Sequence, residues 1–388
     1  MGRTSDRACW TRTIPVVTEA LARHRRRLRT LLLLPLLLVA ACRTAALPAL
    51  PPPGDDATLI VPGYKGSFLA EESGEHAWIT PGQALGSGDR SLALPFAGDR
   101  AGPRFGPLHP DGPLTRLSVL GIGEDLYLPF LEFAGRSLPG AVPFSYDWRQ
   151  DVRESGHRLC ETIASLAATR VSIVAHSMGG LVALHCLAEG QPKIRRIVFA
   201  GTPFAGSAEI FKDLVRGNPV GRNHALLSAE ALFSFPAAWQ LLPPAGPVIS
   251  SGSGAPQPRP VGSLAPRAGV FADPRLRDDP AYRTEAAKQV AAHAGHWSAL
   301  AKVVPAVPVL VVVGEGQPTV AGIREIDGAF DFDHPPLADG DGTVTAASAR
   351  PAFPHEEHVT HAKHTALLND GEVQAAVARF LGGARRSQ

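Results

Sequence analysis

One stretch constrains this chain more than any other: Val174-Ala175-His176-Ser177-Met178-Gly179-Gly180, set between the apolar run RVSIVAHS (170–177) and the pattern GGLVALHCLAEG (179–190). The first run reads as a buried strand and the second as a helix closed by Gly190. A serine at such a strand-to-helix turn, with small residues two before and two after it, has the form of a nucleophile elbow. The sharp turn exposes the hydroxyl, and the helix N-terminus adds backbone N–H groups and the positive end of its dipole. Ala175 stands where glycine is usual, at the cost of one methyl. The competing reading of Ser177 is an ordinary helix N-cap.

The same alternation continues along the chain, which predicts an α/β fold with a mostly parallel sheet and helices on both faces. ATLIVPG (57–63), AVPFSYDW (141–148), RRIVFAGTP (195–203) and VPVLVVVGEG (307–316) read as further strands. YLPFLEFAGRSL (127–138), ESGHRLCETIASLAA (154–168) and EVQAAVARFLGG near the C-terminus read as helices. Between 205 and 303 the pattern breaks, and so long a connection reads as an inserted cap. The core is then split into 57–204 and 304–388. The cap contains a Pro/Gly/Ser-rich run, Pro243 to Gly269. Its low apolar content predicts a loosely packed cover that admits water.

A serine nucleophile needs a general base and a carboxylate to orient that base. In α/β-hydrolases the chain order is Ser, acid, His. Asp341, in Gly340-Asp341-Gly342-Thr343-Val344, follows the strand at 307–316 and is the expected acid, with Asp339 its competitor. Among His355, His358, His361 and His364, the last stands just ahead of the terminal helix and is the expected base, with His361 second. The oxyanion needs two donors. The Met178 amide follows the nucleophile directly. The loop Pro62-Gly63-Tyr64-Lys65-Gly66-Ser67 supplies the other, from Tyr64, or alternatively Lys65. No metal is called for: HEEH at 355–358 is not the zinc-binding HExxH, and Asp331-Phe332-Asp333-His334 reads as a structural loop rather than a calcium site.

Residues 1–41 carry eight arginines against Asp6 and Glu19, while the whole chain has a formal net charge of +2. The remainder is therefore mildly acidic, which argues against a nucleic-acid partner. The arginines precede LLLLPLLLVAAC (31–42), too short to span a bilayer but suited to a signal peptide over 1–41. Leu38-Val39-Ala40-Ala41-Cys42 resembles a bacterial lipobox, with Cys42 as the lipidated first residue. A Pro-rich linker over 42–56 would hold the folded body away from that anchor. The expected location is the bacterial envelope, with the membrane met through the N-terminal lipid. Cys160 and Cys186 fall in helices flanking one strand; buried free thiols are the expected state and a disulfide the alternative.

Several runs appear in one order: VPGYKGS (61–67), FSYDWR (144–149), AHSMGG (175–180), AGTPFAGS (200–207), WQLLP (239–243), GDGTV (340–344) and then His364. In this the chain resembles the lecithin:cholesterol acyltransferase family of α/β-hydrolases across roughly 57–382. The resemblance implies Ser177, Asp341 and His364 as the triad, Tyr64 and Met178 at the oxyanion hole, a cap over an acyl pocket, and lipid esters as substrates with no cofactor. The expected function is lipid acyl-ester hydrolysis or O-acyl transfer, with hydrolysis favoured by the loose cap. A short-chain or polyester esterase, or an inactive lipid- or partner-binding lipoprotein, are the alternatives. Tyr146, Asp147, Trp148 and Arg149 are read as strand-end packing or as braces for the active-site loops. Trp78 is read as a lid residue or an ordinary packed one.

Overall fold

The computed structural model describes residues 50–382 apart from 51, 101, 120, 121 and 251–256. The expected export signal, Cys42 and much of the expected linker lie outside the described residues. Six strands form the central sheet: β1 (Asp56–Val61), β2 (Ala141–Pro143), β3 (Arg170–His176), β4 (Ile194–Ala200), β5 (Val309–Gly314) and β6 (Glu356–Thr360). Their order is β6-β5-β4-β3-β1-β2, and every pairing is parallel. Five helices matter here: α1 (Leu128–Ser137), α2 (Val152–Ser165), α3 (Met178–Ala188), α4 (Pro280–Leu300) and α5 (Gly371–Gly382).

Alternation along the strands explains the layers. Ile60, Val174, Val198 and Val312 point to the face covered by α1 and α5, against Phe130, Leu131, Val377 and Phe380. Leu59, Ile173, Phe199 and Val311 point to the other face, against Leu159 of α2 and Leu181 of α3. Strands buried on both faces read as continuous apolar runs, which is why these were visible in the sequence.

Two strands differ from expectation. The run 141–148 stays in the sheet only to Pro143, with one further bond from the Phe144 amide to the Ile60 carbonyl. The rest peels away because its side chains hold the loop after β1, as described below. β6 was not foreseen. It is the edge strand, has one neighbour, and buries only Thr360, so Glu356, Glu357 and His358 carry no apolar signal.

The 205–303 insertion leaves after β4 and returns at β5. It is densely packed, not loose: Phe211, Phe233, Phe235, Trp239 and Tyr282 are fully buried. Even the Pro/Gly/Ser-rich run places Val248, Val261, Leu264 and Ala268 in the core. Val248–Ser250 and Gln257–Arg259 join Ile323–Ile326 and Ala329–Asp331, from beyond β5, in one four-stranded sheet. Asp331 ends its strand and holds the turn that follows, its carboxylate accepting from the Asp333 and His334 amides.

Cys160 of α2 and Cys186 of α3 are joined as a disulfide, with Cα atoms 5.2 Å apart, in place of the free thiols expected. Beside it, His185 of α3 meets His296 of α4 at 2.9 Å between ring nitrogens. Burial pushes His185 down to about 4. An unfolded histidine takes up its proton near ~6.5. Unfolding therefore binds a proton between these values, and stability falls as pH drops through that window. The melting temperature is expected to fall from pH 6.5 to 4, with a shallower slope in His185→Asn; an unchanged slope would remove His185 as a cause.

Candidate active site

The strand order reverses between β1 and β3. The carboxyl ends of strands flanking such a reversal are the usual ligand position in these sheets. Val61 and Ala175 lie level in the two strands, so the following loops emerge side by side. They touch: a Cβ on Gly63 would stand 2.7 Å from the Ser177 Cβ and 3.2 Å from its Oγ. Gly179 is equally confined, since a Cβ there would meet the Val61 and Pro62 carbonyl oxygens at 2.6 and 2.5 Å. The Ala175 methyl is buried in the core.

Ser177 has φ 56° and ψ −130°, a conformation L residues adopt only under constraint, and its side chain makes no capping bond. The N-cap reading therefore fails for the hydroxyl. Instead Ser177 Oγ lies 2.9 Å from His364 Nε2, and His364 Nδ1 lies 2.7 Å from Asp341 Oδ2. Asp341 Oδ1 accepts from the Thr343 and Val344 amides at 2.9 and 2.7 Å. Burial opposes ionisation of Asp341 most strongly. The His364 hydrogen bond, its charge and these two amides outweigh burial and hold the carboxyl below the usual range.

Asp341 arrives at the end of a two-stranded ribbon, Gln317–Val320 with Leu337–Gly340, that extends beyond β5. His364 begins the 3-10 turn His364–Asn369 after β6, and its amide also bonds the Asp341 carbonyl at 2.9 Å. The competitors sit elsewhere. Asp339 accepts from the Gly316 and Gly340 amides, and exposed His361 is 3.3 Å from the Glu315 carbonyl.

In the loop after β1, the Gly63 amide donates to Tyr127 Oη at 2.8 Å and the Gly66 amide to the Gly63 carbonyl at 3.0 Å. The amides of Tyr64, Lys65 and Met178 donate to no protein acceptor among the described residues. Both candidates for the second oxyanion donor thus remain available. Lys65, at φ 63°, takes the turn of the loop. Its ammonium lies 3.6 Å from Asp213 of the insertion. Burial lowers the Lys65 pKa against the pull of Asp213.

The 146–149 run is a brace for this loop. Tyr146 Oη donates to the Pro62 carbonyl at 2.8 Å, and Trp148 Nε1 to the Ser67 carbonyl at 3.1 Å. Arg149 pairs with Asp147 at 2.7 Å and donates to the Leu92 carbonyl. Trp78 is a packed residue, its indole donating to the Lys65 carbonyl at 3.0 Å.

With this geometry in place, comparison with known proteins is informative. The family model described as lecithin:cholesterol acyltransferase matches residues 139–256. The chain has an α/β-hydrolase fold, and its segment 139–256 is similar to the lecithin:cholesterol acyltransferase family. The matched residues hold the 146–149 brace and Ser177, but not Tyr64, Asp341 or His364; those three are located by the fold alone. The uncharacterized protein YJR098C of Saccharomyces cerevisiae is 27% identical over 191 residues, which cover 48% of this chain and 28% of the yeast protein. The matched region thus spans little more than a quarter of that relative. Among solved structures, the Tle4-Tli4 complex matches with a TM-score of 0.54 at 13% identity, covering 85% of this chain and 98% of that one. The mature Bacillus licheniformis lipase BlEst2 matches at 12% identity over 86% of this chain and 94% of its own, with a TM-score of 0.37.

Sequence reasoning gave no role of its own to Gly201, which follows β4. At φ +59°, its Cβ position would be 3.1 Å from both Asp341 Oδ2 and His364 Nδ1 and 2.6 Å from Leu367 Cδ1. Only the AGTPFAGS run hinted at it. Gly201→Ala is expected to lower kcat at least ~10-fold by displacing the Asp–His pair, and to cost about 1–2 kcal/mol of stability in left-handed strain. Kinetics and thermal melting check this; wild-type kcat in a destabilised variant would mean that the pair adjusts freely.

Proposed function

We propose that the chain is a serine acyl-ester hydrolase acting on lipid esters through an acyl-enzyme. What supports this is the buried Ser177–His364–Asp341 line beside the unpartnered Tyr64 and Met178 amides. Ser177 O–H gives its proton to His364 Nε2 as Oγ attacks the ester carbonyl carbon. The carbonyl oxygen becomes an oxyanion that accepts from the Met178 and Tyr64 N–H groups. Collapse breaks the ester C–O bond, and His364 returns the proton to the leaving alcohol. Water then gives a proton to His364 and attacks the acyl carbon; collapse releases the acid and restores Ser177 O–H. Ionised Asp341 accepts from His364 Nδ1–H throughout and stabilises the imidazolium.

The lipid class rests on the family segment at 139–256. An alcohol can replace water in the second half, which makes the product an ester. The dense insertion removes the argument that a loose cap admits water, so the acyl acceptor is an experimental matter. A panel of phospholipid, acylglycerol and short-chain esters, with and without a long-chain alcohol, tests the proposal by product analysis. Free fatty acid released from lipid esters is expected. Turnover of short-chain esters alone would contradict the lipid assignment.

A further inference from the structure

A second hydrogen-bond chain runs behind the nucleophile, through two side chains that the reaction above does not use. Tyr127 Oη accepts from the Gly63 amide at 2.8 Å and lies 2.8 Å from His176 Nδ1. His176 Nε2 lies 2.9 Å from the carbonyl oxygen of His364. The His176 and His364 rings pack with centroids 4.7 Å apart. Tyr127 and His176 are both buried. We propose that Tyr127 and His176 are positioning residues that lock the loop after β1, the elbow and the His364 loop into one arrangement for acyl transfer.

The donor order follows from the partners. The Gly63 N–H can only donate, so it occupies a lone pair of Tyr127 Oη and leaves the phenol proton free. That proton goes to His176 Nδ1. A neutral imidazole with Nδ1 accepting carries its proton on Nε2. The Nε2–H then donates to the His364 carbonyl, which can only accept. Each group has one compatible role, so the chain has a single proton arrangement. Burial, followed by the neighbouring His364, pushes the His176 pKa down to about 3, against the pull of the His364 carbonyl and Asp341. Burial raises that of Tyr127, which keeps the phenol protonated.

The far end of the same assembly is tied as well. Asn369 closes the 3-10 turn that His364 opens. Its Nδ2 donates to the Asp125 and Leu126 carbonyls at 3.0 and 2.9 Å, and its Oδ1 accepts from the Phe130 amide at 3.2 Å. The segment carrying Tyr127 is therefore clamped to the His364 turn at both ends. Gly63 touches Ser177, and the His364 imidazole bonds Ser177, so slack in this chain reaches both the oxyanion donors and the base. Small displacements there are costly, about 10²-fold per ångström.

The kinetic consequence rests on the acyl-ester reading, whereas the hydrogen-bond chain does not, so the test has two readouts. In Tyr127→Phe, kcat on a short-chain ester is expected to fall roughly 10- to 100-fold, with KM within about threefold of wild type. Leu131→Val, in the helix that Tyr127 precedes and outside the hydrogen-bond chain, controls for a merely structural loss: it is expected to lower the melting temperature while keeping kcat. In 15N-histidine spectra, with His176 assigned through His176→Asn, the wild-type ring is expected as the neutral Nε2–H tautomer down to pH 5. That signature is expected to be lost or mixed in Tyr127→Phe. Wild-type kcat in Tyr127→Phe, or a His176 that is charged at pH 6 or protonated on Nδ1, would overturn the proposal. A wild-type protein that turns over no ester, yet shows the expected tautomer, would overturn the acyl-ester reading and leave the hydrogen-bond chain standing.

Discussion

Ser177→Ala is expected to leave a folded protein whose kcat/KM on any accepted ester is about four to six orders of magnitude below wild type. The substitution removes the atom placed to attack, 2.9 Å from His364 Nε2. It changes little else: the Ser177 hydroxyl caps no helix, and the strained φ of 56° is imposed by the turn, whichever small residue stands there. The melting temperature should therefore stay within a few degrees of wild type. Steady-state kinetics beside a thermal melt checks both halves. A folded variant that retains a tenth of the wild-type rate would remove Ser177 as the nucleophile and require another one.

Asp341→Asn is expected to lower kcat by about 10⁴-fold without unfolding the chain. Its Oδ2 accepts from His364 Nδ1–H at 2.7 Å, which leaves Nε2 unprotonated and able to take the Ser177 proton. An asparagine that turns its amide toward His364 favours the opposite tautomer, with Nε2 protonated and useless as a base. Asp339→Asn and His361→Ala are expected to keep activity within about threefold of wild type, because neither residue touches the line. Stopped or steady-state kinetics on the three variants separates them. If Asp339→Asn proved the damaging change, the acid would be assigned two residues out along the ribbon that delivers Asp341.

Much of this was legible in the sequence, for a physical reason. β1, β3, β4 and β5 are buried on both faces, so each is an apolar run that ends at a turn signal. Ser177 stands at the most informative of those junctions, the flanking glycines favoured Asp341 over Asp339, and the place just ahead of the terminal helix favoured His364 over His361. What escaped depends on contacts remote in the chain. β6 is a charged edge strand whose identity lies in its pairing with β5. The insertion looked loose because Pro, Gly and Ser report on turns and say nothing of what Phe233, Phe235 and Trp239 pack against. The Tyr127–His176 chain joins residues 49 and 64 positions apart and then reaches across 188, so no local periodicity announces it. Tyr64 keeps its precedence over Lys65 from its place in the motif alone, because both amides are without a protein acceptor among the described residues.

The central claim is that Ser177 is an activated nucleophile, and its most direct test is covalent. The wild-type protein is treated with a serine-directed fluorophosphonate and the modified peptide is sequenced by mass spectrometry. One label per chain is expected, on Ser177, with labelling slowed by orders of magnitude in His364→Ala, where the base is missing. A folded wild-type protein that takes no label, or takes it on another serine, would contradict the account.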